Sequence, residues 1–170
     1  MRPTLVLLTV GLTPRHLGPD TPRLSRLAAA GGMRPLETIT PAVTCSVQAT
    51  FTTGLLPRQH GIVGNGWLFR DTGEVRFWQQ SNRLIQAEPL YVTAKKRLEG
   101  FRCAKLFWWY NQGADVAISV TPKPYYGADG NKAFGITGTP EGLTADLEKA
   151  LGPFPFPSFW GPMAGPACTR

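Results

Sequence analysis

Pro41-Ala-Val-Thr44-Cys-Ser-Val-Gln48-Ala-Thr-Phe-Thr-Thr-Gly54-Leu-Leu-Pro57-Arg-Gln-His60-Gly-Ile-Val-Gly-Asn65 sets a hydroxyl at the start of a short helix. That helix is predicted over Cys45–Thr53, with Thr44 as its N-cap and Gly54 as its stop. The chain then turns through Pro57 into a glycine-rich loop closed by Asn65. A helix start faces an anion with free N–H groups and the positive end of the helix dipole. A neutral amide such as Asn65 is suited to donate to an oxygen that gains charge during phosphoryl transfer. In open α/β sheets ligands bind beyond the carboxyl ends of the strands, so this helix and loop are expected at such an edge.

The flanking segments alternate strand and helix signals. Thr4-Leu-Val-Leu-Leu-Thr-Val10 is a continuous apolar, β-branched run, as in a buried parallel strand. Thr21 and Pro22 open a helix whose apolar stripe is Leu24, Leu27 and Ala28 and whose end is Gly31-Gly32. Residues 33–40 extend as a second strand. Trp67 to Trp78 alternates around Asp71-Thr72-Gly73 and predicts a hairpin. A helix is predicted over Pro89–Leu98 with Gly100 beyond it, strands over Arg102–Trp108 and Ala114–Val120, and a last helix over Glu141–Leu151. This alternation predicts an α/β fold with helices on both faces of a mostly parallel sheet. Strands 4–10 and 102–108 would be near neighbours, with Thr44 beyond their carboxyl ends.

Composition narrows the class. The 170 residues suit one domain, 42% hydrophobic and 17% charged, which is globular rather than disordered. Gly and Pro supply 35 of the 170 residues, without a repeat. No apolar run approaches the roughly 20 residues that cross a bilayer, and no signal-peptide pattern opens the chain; no membrane partner and a cytoplasmic location are expected. Cys45, Cys103 and Cys168 form no CxxC pair and read as reduced structural thiols. The net charge of +7 suits a small anionic substrate. Its basic residues are scattered, so no specific nucleic-acid binding is expected.

The order Pro-x-x-Thr, Thr-Gly, Pro and His-Gly-Ile-Val-Gly-Asn, here Pro41, Thr44, Thr53-Gly54, Pro57 and His60 to Asn65, resembles the nucleotide pyrophosphatase/phosphodiesterase branch of the alkaline phosphatase superfamily. Thr21-Pro22…Leu27-Ala-Ala-Ala-Gly31, Glu88-Pro89-Leu-Tyr91 and Leu106-Phe107-Trp108 extend the likeness over residues 4–110. The resemblance implies an alkaline-phosphatase-like three-layer sandwich. It implies Thr44 as a nucleophile that is transiently phosphorylated or nucleotidylated, and as a ligand to one of two divalent metal ions, of the zinc kind. It implies Asn65 as the amide contacting a phosphate oxygen, and a small phosphoester or nucleotide as substrate.

Two positions depart from the family pattern. Val10 stands where the family has a metal-binding Asp, and Cys45-Ser46-Val47-Gln48 replaces Phe-Pro-Asn-His. Members are considerably longer and carry further Asp and His ligands in a later half. Residues 1–151 are accordingly expected to be the N-terminal part of such a catalytic domain. Residues 152–170, proline-rich and apolar, are expected to be a truncated continuation. With only His16 and His60, a two-metal site cannot be completed, and the chain alone is expected to be inactive.

Other readings remain. A non-catalytic relative would bind an anion or a partner, a reading that Val10 favours. Thr at the nucleophile position argues against a sulfatase, which uses Cys or Ser there. A Cys-His hydrolase of Cys45 and His60 lacks an orienting third group. His60 is read as structural, and His16 has no assigned role. The aromatic set Trp67, Phe69, Phe77, Trp78, Phe107, Trp108, Trp109 and Tyr110 is read mainly as core, with base stacking as the minority reading.

Overall fold

Thr21-Pro22 opens a helix as its sequence requires, and the elements follow in chain order from there. The computed structural model describes residues 2–126, 129 and 131–159. The chain divides into two units, residues 1–37 and 38–170. In the first, a 3-10 turn over Pro14–His16 precedes α1 (Pro22–Gly31). Gly32, at φ 83°, ends α1 in a conformation that only glycine adopts freely. The expected strand over residues 4–10 is absent: the segment has no regular structure, and Leu5 and Val10 are 80% and 88% exposed. Its apolar run is a burial signal, and burial needs neighbours that its own unit does not supply. Residues 33–40 form no strand either. The reading that put Thr44 beyond the end of a 4–10 strand is corrected with them.

The second unit carries the remaining elements. α2 (Thr44–Thr53) and α3 (Pro57–His60) lead into the hairpin of β1 (Gly66–Phe69) and β2 (Glu74–Phe77), antiparallel as expected. α4 (Leu90–Arg97) precedes β3 (Ala104–Leu106), β4 (Ile118–Tyr126) and β5 (Lys132–Thr139). β3 pairs parallel with β4, and β4 pairs antiparallel with β5. The expected mostly parallel sheet is therefore corrected to two small sheets, one a hairpin and one mixed. The α/β class holds. The second expected strand begins at Ile118 rather than Ala114 and runs on to Tyr126.

Pro122 and Pro124 made the extension of β4 illegible, since proline is usually excluded from a central strand. Both lie past Val120, the last β4 residue paired with β3, so on that side no ladder partner waits for their missing N–H. Gly138 of β5 is needed for close approach: a Cβ there would lie 2.8 Å from Thr144 Cγ2 in α5 (Leu143–Leu151). After α5, residues 152–159 include the short α6 (Phe156–Phe159). They pack back on the sheet, with Phe156 stacked 4.9 Å from Phe134. Trp160 to Arg170, Cys168 among them, lie outside the described residues. The core sits under α2: Cys45, Ala49, Ile62, Trp109 and Tyr110 form one buried cluster, flanked by Trp67, Trp78, Leu84 and Ile85.

Candidate functional site

The first turn of α2 is latched from within. Ser46, fully buried, donates its hydroxyl to Pro41 O at 2.9 Å and Val43 O at 3.1 Å. Val43, extended at φ −111° and ψ 162°, occupies the N-cap position, and Thr44 is the first helical residue. The expected Thr44 cap is corrected by one residue. The physical reason is that Asn65 Oδ1 takes a first-turn N–H while Ser46 holds the carbonyls of Pro41 and Val43, which leaves the Thr44 hydroxyl free. Thr44 is exposed, and its N–H and hydroxyl bond to nothing among the described residues.

Asn65 comes to the same turn from 20 residues further on. Its Oδ1 accepts the Cys45 N–H at 2.9 Å, and a helix N–H that would otherwise lack a partner is satisfied. That bond fixes the amide's orientation, because only the oxygen can accept. Nδ2 is left as a donor without an acceptor among the described residues. The structure thus brings Thr44 and Asn65 onto one helix turn.

His60 is fully buried. Its Nδ1 accepts the Ile62 N–H at 3.1 Å, and its Nε2 lies 3.0 Å from Thr50 Oγ1. An accepting Nδ1 means the proton sits on Nε2, donated to Thr50. Burial holds its pKa below the usual 6.5. His60 therefore ties α2 to α3, in agreement with its structural reading. The Cys45–His60 pairing finds no contact here. Burial pushes the Cys45 thiol up to about 11, with the Tyr110 hydroxyl offsetting only part, so it is no nucleophile near neutrality. His16 bonds to Thr13 within the first unit.

A polar set beneath α2 went unseen in the sequence. Gln48, one turn after Thr44, accepts the Trp109 N–H at 2.8 Å through Oε1. Lys105 is buried; its Nζ lies 3.4 Å from Tyr110 O, 3.5 Å from Trp109 O and 5.0 Å from the Tyr91 ring centre. Burial lowers its pKa to about 8, Cys103 opposing slightly. Asn111 and Gln80 are buried beside them. The partners lie 61 residues apart for Gln48 and Trp109, and no local pattern encodes such a pair. Of the aromatics, Trp109 and Tyr110 are core, whereas Phe77 and Phe107 are exposed.

Among the described residues no three His, Cys, Asp or Glu side chains gather as a metal site, and no helix is long and apolar enough to cross a membrane. No solved structure matches the chain. A family model described as type I phosphodiesterase / nucleotide pyrophosphatase matches residues 4–164. The chain belongs to that family.

Proposed function

We propose that this member of the type I phosphodiesterase / nucleotide pyrophosphatase family handles phosphoesters at the first turn of α2. Thr44 is the nucleophile and Asn65 the donor to a phosphoryl oxygen. The carrying observation is the 2.9 Å bond from Cys45 N–H to Asn65 Oδ1. It commits the Asn65 oxygen to the residue next to the exposed Thr44 and leaves Nδ2 without an acceptor among the described residues. A phosphoryl group set there would meet the helix dipole, the Thr44 N–H and the Asn65 amide together. Thr44 Oγ1 would attack phosphorus, the leaving oxygen would depart, and water would release the phosphorylated Thr44. Phosphoryl transfer depends chiefly on such positioning and charge stabilisation.

The metal pair that the resemblance implies does not fit the residues present. His60 spends both ring nitrogens on Thr50 and Ile62, and Val10 offers no donor atom. Thr44 would be at most one ligand. A Thr hydroxyl is a poor nucleophile unless activated. No carboxylate or imidazole bonds to it among the described residues, so catalysis needs an activating group beyond those gathered here. The same fact favours a second reading, a phosphate-binding relative without turnover.

Titration of 15N-labelled protein with inorganic phosphate tests the site. Thr44 and Cys45 amides and the Asn65 side-chain amide should shift, and Asn65→Ala should abolish the response. Shifts centred elsewhere, or a response that survives in Asn65→Ala, would reject it. Phosphate binding without phosphothreonine formation would favour the binding reading.

A further inference from the structure

Among the described residues, three non-glycine residues have left-handed backbones: Trp78 at φ 57°, Phe107 at φ 61° and Tyr110 at φ 59°. Such conformations are costly for aromatic residues and persist only where the surroundings over-determine them. Here the surroundings do so. Trp108 O accepts from Thr121 Oγ1 at 2.8 Å, Tyr110 O accepts from Asn82 Nδ2 at 2.9 Å, and the Trp109 N–H is taken by Gln48. The Trp109 ring lies 5.0 Å from the Trp78 ring. Trp78 in turn donates its N–H to Asn65 O at 3.0 Å. Asn65 closes the circuit on Cys45, three residues before Gln48 in the same helix.

We propose that Gln48 is a positioning residue: through Trp109 and Trp78 it fixes where Asn65 stands over the first turn of α2. The inference rests on the reading of Thr44 and Asn65 as the phosphate site. Asn65 reaches α2 through one side-chain bond, and its backbone is set by Trp78. A displacement of about 1 Å is enough to spoil catalytic geometry. The bond from Trp109 to Gln48 ties both ends of that arm to one helix, which makes the strained 107–110 bend an anchor rather than a connector.

Gln48→Met keeps length and volume and removes the acceptor, whereas Gln48→Glu restores an oxygen in the same place. In the protein without ligand, hydrogen exchange at the Cys45 amide should speed up about tenfold in Gln48→Met. It should return towards wild type in Gln48→Glu, while amides late in α2 stay unchanged. A Cys45 amide indifferent to Gln48→Met, an equal loss along all of α2, or a Gln48→Glu no better than Gln48→Met would overturn the proposal. Should Gln48→Met fail to fold, Trp78→Leu opens the circuit on its other side and must give the same selective loss at Cys45. Inorganic phosphate is the second probe, and Gln48→Met should weaken its affinity several-fold. A wild type that ignores phosphate while Cys45 still depends on Gln48 overturns the phosphate reading and leaves the positioning role standing.

Discussion

Thr44 and Asn65 sit on the same turn but contribute to the fold in opposite ways. Thr44 is exposed and makes no bond among the described residues, so Thr44→Ala should change stability by less than about 0.5 kcal/mol. Asn65→Ala removes the oxygen that satisfies the Cys45 N–H and should cost about 0.5–2 kcal/mol, as a lost helix cap does. Paired urea melts of the two variants decide this; equal losses would mean that Asn65 does not cap α2. His60 sets an acid limit. Its folded pKa lies below 6.5, so below pH 6.5 the unfolded chain binds a proton that the folded one refuses. The stability it contributes is full above 6.5 and is lost as pH falls towards the lower folded value. Urea midpoints between pH 7.5 and 5 should drop in the wild type and drop less in His60→Asn.

The β3 strand carries a buried cation whose pKa of about 8 lies under the ordinary 10.5. Between those values the unfolded chain holds the proton and the folded chain has released it, so the Lys105 contribution grows as pH rises. The gain is at most about 1.4 kcal/mol per pH unit for one proton. Cys45 opposes it from pH 9, because its thiol is raised from 9.0 to about 11. The clean window is therefore pH 8 to 9. There the wild type should gain stability relative to Lys105→Met, and a flat difference would mean that Lys105 stays protonated in the fold. By contrast, Pro122 and Pro124 hid the end of β4 and Gly135 and Gly138 hid β5, because the fold uses the prolines past the last β3 pair, Gly135 against the Tyr125 ring and Gly138 against α5.

At the scale of the molecule, the described side chains bring no carboxylate or imidazole to hydrogen-bond Thr44, and no three of them gather as a metal site. The chain by itself should hydrolyse a nitrophenyl phosphodiester no faster than Thr44→Ala, with or without zinc. Zinc-dependent and Thr44-dependent turnover by these 170 residues would show that ligands gather in a way the described side chains do not.

Much of the local structure around the candidate site was legible because its signals are local. Thr44 at a helix start, Gly54 at φ 68° as its end and Asn65 after a glycine-rich loop follow from residue chemistry and short spacing. The hairpin, α1, α4 and α5 were legible for the same reason, each to within a residue or two. Strand 4–10 was misread because an apolar run reports a wish to be buried and not a partner to be buried against, and residues 33–40, which mix apolar with polar side chains, find no ladder partner either. Only the tertiary structure decided that Val43 takes the N-cap position of α2, that Asn65 Oδ1 meets Cys45, and that Gln48 meets Trp109 from 61 residues away. Those are contacts of distant backbone with buried polar groups, and they exist only once the chain has closed on itself.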